Sequence, residues 1–120
     1  MITMRPLLTL LLLLGFVSLA QAHAFLDSAE PKVGSTVAVS PTVVKIWFTK
    51  QIVREGSTIG VFNAQGTEVD RKDNVIAPDN RFLLSVTVPK LPTGPYKVIW
   101  NAICRDTHHT TGNYIFTVAP

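Results

Sequence analysis

The chain has 120 residues, 47% hydrophobic and 16% charged, a composition that fits one globular domain and leaves no room for two. Its formal net charge of +3 is too weak to argue for nucleic acid or an acidic membrane as a partner. Cys104 is the one cysteine, which excludes an intrachain disulfide, so the domain has to stand on its hydrophobic core.

The first segment reads as an address label. "MITMRP" carries Arg5, "LLTLLLLLGFVSL" follows over residues 7–19 without a charge, and Ala20-Gln21-Ala22 places small residues at the first and third positions before His23. A basic start, a short apolar run and an A-x-A site predict a secretory signal peptide over residues 1–22, cleaved after Ala22. The apolar run falls short of the roughly 20 residues that a spanning helix needs. The mature chain is then residues 23–120, without membrane insertion and outside the cytoplasm.

The mature part reads as all-β. "TVVKIWF" (42–48) alternates, with Val44, Ile46 and Phe48 on a wholly apolar face. "STIGVF" (57–62) and "FLLSVTV" (82–88) are further β-branched runs. "YKVIWNAI" (96–103) puts Tyr96, Val98, Trp100 and Ala102 on one face, and "NYIFTV" (113–118) puts Tyr114 and Phe116 on one face. Turn signals separate these runs: "EPKVGS" (30–35), "SP" (40–41), "NAQG" (63–66), "APDN" (77–80) and "LPTGP" (91–95). Short strands with turns at such spacing predict an antiparallel β-sandwich or barrel. The polar stretch "FNAQGTEVDRKDN" (62–74) reads as a solvated hairpin and loop.

Chemistry concentrates in "CRDTHHTTGNY", residues 104–114, a loop between the last two predicted strands. In an extended chain Asp106 and His108 point the same way, since side chains alternate with period two. His109 then points away unless the loop turns. Alone, the D-x-H pair is equally a polar loop with a capping aspartate, because a metal site needs three or four ligands. Processing after Ala22 changes the count. A mature N-terminal His23 has an α-amine and an imidazole that close a six-membered chelate ring. With the imidazole of His108 and the carboxylate of Asp106, the set is three nitrogens and an oxygen. Such donors in a tetragonal arrangement select Cu(II), whereas Zn(II) prefers tetrahedral sites. Met1 and Met4 are the two methionines of the chain, so the mature part has none and a thioether Cu(I) site is excluded. Cys104 reads as a buried packing residue or as a thiol beneath the site that would favour Cu(I) or reduce Cu(II).

The sequence resembles the CopC family of copper-binding proteins across essentially the whole mature chain. The resemblance lies in "HAFLDSAEPKVGSTV", "VVKIWFTKQIV" and "LPTGPYKVIWNAICRDTHHTTGNYIFTV". It implies a Greek-key β-sandwich of cupredoxin-like or immunoglobulin-like shape. It further implies one Cu(II) ion per mature chain, bound tightly through His23, Asp106 and His108. The expected role is periplasmic copper sequestration, delivery or resistance. The expected partner is an inner-membrane copper permease or another copper carrier, and the chain is expected to be a monomer and not an enzyme. Three positions depart from the resemblance. Lys50 stands where some members carry an acidic residue that joins or supports the copper site. Cys104 replaces the more usual serine, and His109 the more usual proline. Two other functions stay open at this stage. One is a small copper-dependent oxidase resembling lytic polysaccharide monooxygenases, and the other is a metal-free structural or adhesion sandwich.

Overall fold

The computed structural model describes residues 24–53 and 55–120. The predicted signal peptide, its cleavage site and His23 lie outside the described residues. Eight strands follow one another: β1 (Leu26–Glu30), β2 (Thr36–Val37), β3 (Val43–Phe48), β4 (Thr58–Phe62), β5 (Val75–Ala77), β6 (Asn80–Thr87), β7 (Gly94–Ile103) and β8 (His109–Val118). They form two four-stranded sheets, ordered β1-β3-β6-β5 and β2-β8-β7-β4. Only the β5–β6 and β7–β8 pairs are sequence neighbours within a sheet; the other connections cross between sheets, which makes the Greek-key sandwich. No helix of the described residues is long and apolar enough to cross a membrane.

The expected antiparallel sandwich is present, with one parallel pair at an edge. β2 runs parallel to β8, pairing Thr36 with Thr117 and Val37 with Val118. The chain enters this pairing after a turn at Gly34, whose φ of 73° suits glycine, and Gly34 N–H donates to the Ile115 carbonyl at 2.8 Å. β2 lies at the edge of its sheet, where two residues suffice and no long apolar run announces a strand.

The core forms where the alternation predicts it. Val44, Ile46 and Phe48 of β3, with Leu84 and Val86 of β6, are buried from one sheet. Ile59, Val61, Tyr96, Val98, Trp100, Ala102, Tyr114, Phe116 and Val118 are buried from the other. Val118 thus joins Tyr114 and Phe116, while Ile115 faces outward at 47% exposure. The sheets lock through Phe48 and Trp100, edge to face with ring centroids 5.3 Å apart. Each such fully buried apolar side chain stabilises the fold by about 1.5–3 kcal/mol.

Residues 62–74 depart from the expected solvated loop. The tip is a turn as read, with Asn63 Oδ1 accepting from the N–H groups of Gln65 and Thr67. Beyond it the chain becomes a strap along the edge of β4. Val69 N–H donates to the Val61 carbonyl at 2.7 Å. Val61 N–H donates to Asp70 Oδ1, and Ile59 N–H to Asn74 Oδ1, both at 2.7 Å. Asp70 is buried to do this. Arg71 N–H then reaches the Thr87 carbonyl at 3.0 Å. Thr87 returns two bonds to Asp73, from N–H at 2.9 Å and from Oγ1 at 2.6 Å. An unpaired edge strand is a liability, and this strap closes it with side-chain oxygens.

One loop positions the site end of the sandwich. After β3, Ile52 N–H donates to the Arg81 carbonyl at 3.0 Å, and Val53 N–H to the Ile103 carbonyl at 2.8 Å. Ile52 also bridges Cys104 and is 1% exposed. This side chain plugs the mouth between the sheets beneath the β7–β8 turn.

Candidate metal centre

β7 and β8 form the longest hairpin among the described residues, paired from Gly94–Val118 to Ile103–His109. Its tip is residues 104–108. The chain there is not extended. Thr107 N–H donates to the Cys104 carbonyl at 2.9 Å, Cys104 N–H to the His108 carbonyl at 3.1 Å, and Thr107 takes a φ of 72°. Asp106 and His108 nevertheless meet, because the turn brings them together rather than strand alternation. Asp106 Oδ1 accepts the His108 backbone N–H at 3.2 Å, the geometry of an Asx turn. Asp106 Oδ2 accepts from the ring, with Nδ1 at 2.9 Å. Both side chains are more than half exposed, His108 at 59% and Asp106 at 55%.

These bonds hold the Asp106 carboxyl well below the usual carboxylate range. The His108 ring contributes most, then the Cys104 thiol and the His108 N–H. A charged acceptor on Nδ1 sets the ring's tautomer and orientation, so that Nε2 is the nitrogen suited to a metal. The pair therefore offers a carboxylate and an oriented imidazole at the end of a rigid hairpin.

The start of the described residues is fastened to the same place. Ala24 is fully buried, and its carbonyl accepts a hydrogen bond from Thr110 Oγ1. Phe25 N–H donates to Thr49 Oγ1 at 3.0 Å, and Thr49 N–H returns to the Phe25 carbonyl at 2.8 Å. Three bonds thus hold residues 24–25 between the end of β3 and the start of β8. Sequence reasoning missed Thr110 and Thr49, since a threonine in a strand context signals nothing about an anchor.

The remaining sequence candidates separate. His109 opens β8 and is exposed, with Nε2 3.0 Å from Asn101 Oδ1. Asn101 lies on the outer face of its sheet, so His109 is directed away from the pair even though the loop turns. Cys104 is buried, and its thiol lies 3.4 Å from the His108 carbonyl. It is at once a core residue and the floor under the pair. Lys50 lines the same cleft as Asp106. Among the described residues no three His, Cys, Asp or Glu side chains gather as a metal set. Asp106 and His108 are a pair, and His23 lies outside the described residues.

The fold and the donor pair define a small β-sandwich with a candidate metal-binding end. Comparison with known proteins names the family. The CopC domain matches residues 26–119. Copper resistance protein C of Escherichia coli is 32% identical over 121 residues, covering 95% of this chain and 95% of that protein. Copper transport protein CutJ of Bacillus subtilis is 29% identical over 93% of this chain, which spans 21% of that longer protein. Among solved structures, CopC from Methylosinus trichosporium OB3b superposes with a TM-score of 0.77 at 32% identity, covering 82% of this chain and 95% of its own. The chain belongs to the CopC family.

Proposed function

We propose that this chain is a periplasmic Cu(II)-binding protein that sequesters or delivers copper, acting as a carrier and not as an enzyme. It does so after removal of residues 1–22, with one Cu(II) ion held by the α-amine and imidazole of His23, by His108 and by Asp106. The copper resistance and copper transport names of its relatives support copper as the ligand. One observation carries the choice of site: Thr110 binds the carbonyl of Ala24, two residues beyond His108. His23, whose amine processing would create, is the sequence neighbour of Ala24, the residue that Thr110 of the hairpin anchors.

The donor chemistry fits Cu(II). Neutral nitrogens and a carboxylate suit a tetragonal ion that leads the divalent affinity series. Asp106 is ionised in its bonds to His108; an ion on Nε2 lies across the ring from the Nδ1 bond, so Asp106 joins it as a ligand by releasing that bond. Binding needs a neutral amine and neutral imidazoles, so protons compete with the ion and affinity falls as the solution is acidified. On this reading the protein acts as a monomer, and an inner-membrane copper permease or another copper carrier is its partner.

The test is a Cu(II) titration of protein beginning at His23, beside a form extended by one methionine and a His108→Ala variant. The mature form is expected to bind one equivalent tightly, with a nitrogen-rich EPR spectrum. Both controls are expected to bind far more weakly, with altered spectra. Equal affinity and an identical spectrum in the extended form sink the reading.

A further inference from the structure

A cleft of about 600 Å³ opens beside the hairpin tip, between the loop after β3, the start of β6 and the β7–β8 turn. Its volume lies in the range of small-molecule sites, about 300–1,000 Å³. Asp106 forms part of the wall, Phe82 and Cys104 give it an apolar surface, and Lys50 and Arg105 bring two cations. Arg105 Nη1 donates to Gln51 Oε1 at 3.3 Å. That bond joins the two loops and holds the guanidinium at the cleft. Among the described lining residues Asp106 is the one carboxylate, and both its oxygens accept hydrogen bonds from His108.

Two cations next to a cation site repel the metal unless a counter-charge lies between them. Guanidinium and ammonium groups lining one open cleft are the chemistry that recognises a carboxylate, the guanidinium by a two-pronged bond and the ammonium as a point charge. We propose that this cleft binds a small carboxylate anion between Lys50 and Arg105, and that the anion joins the coordination of a metal held at Asp106 and His108. The second half rests on the Cu(II) reading, while the first half does not.

The probe is oxalate. In the first arm, copper-free protein at low ionic strength is titrated with oxalate and followed by amide NMR, with sodium chloride of equal ionic strength as the screening control. Saturable shifts are expected at residues 49–51 and 104–106, weakened about tenfold in a Lys50→Gln/Arg105→Gln double variant. Shifts scattered over the whole surface, matched by chloride or unchanged in the variant, overturn the anion site. In the second arm, oxalate is added to the Cu(II)-loaded protein and followed by EPR. A new spectrum that half-saturates at about tenfold less oxalate in the wild type than in the double variant is expected. Copper stripped equally from both proteins, with no mixed spectrum, overturns the shared coordination. Localised oxalate shifts in a protein that fails to bind Cu(II) leave the anion site standing and sink the copper reading alone.

Discussion

The hydroxyl of Thr110 ties the beginning of the described chain to the hairpin that holds His108. Valine at this position keeps the volume and removes the bond. We expect Thr110→Val to lower stability by about 1 kcal/mol in urea unfolding and Cu(II) affinity about tenfold; unchanged affinity would show that the anchor has no part in metal binding. At this scale the sequence shows the donors and hides their placement. Asp106 and His108 are legible as ligand-type residues two apart. Their meeting comes from a left-handed backbone at Thr107, which a non-glycine residue does not advertise. Cys104 is legible as a small buried residue, but its nearness to the His108 carbonyl depends on the turn.

β4 shows how an edge strand is finished. Its outward N–H groups at Ile59 and Val61 are taken by Asn74 and the buried Asp70, and the strap that carries them is clamped to β6 by Asp73. The Thr87 hydroxyl, followed by its N–H, lowers the Asp73 carboxyl below its usual value. A carboxyl lowered in the folded state stabilises the fold above its unfolded pKa, near 4. It loses that contribution as pH falls through the folded value. Asp73→Asn is therefore expected to reduce the urea midpoint at pH 7, with the gap to the wild type closing toward about pH 3. A gap that does not change with pH assigns the clamp to shape rather than charge. The long strands β3, β4, β6, β7 and β8 are legible because each carries an alternating or β-branched run. β1, β2 and β5 are not. "LDSAE" buries one residue well, Ala29, β2 has two residues and β5 has three. Such strands are held by their neighbours' backbones rather than by their own side chains. The strap escaped for the same reason, since its bonds run from polar side chains to a strand edge.

Across the whole molecule the two sheets are joined at the hairpin-tip end by the loop that carries Ile52. This residue bonds to β6, bridges Cys104 and is almost fully buried. Ile52→Ala is expected to cost about 2–5 kcal/mol in unfolding free energy, with faster hydrogen exchange at the Ile52 and Val53 amides. A loss below about 1 kcal/mol would mean that the mouth closes without its plug. The sandwich was legible as a class from alternation and turn spacing, whereas this cross-tie, two apolar residues in a polar loop, was not. The hairpin that organises this end also separates the two ends of the described chain. Ala24 is fixed beside the first turn of β8 by Thr110, while Ala119 N–H donates to the Val37 carbonyl beyond the last residue of β8. Ten strand residues rise about 33 Å. A dye or surface tether attached at Pro120 thus sits a full strand length from the hairpin tip, and it immobilises the protein with that tip facing outward.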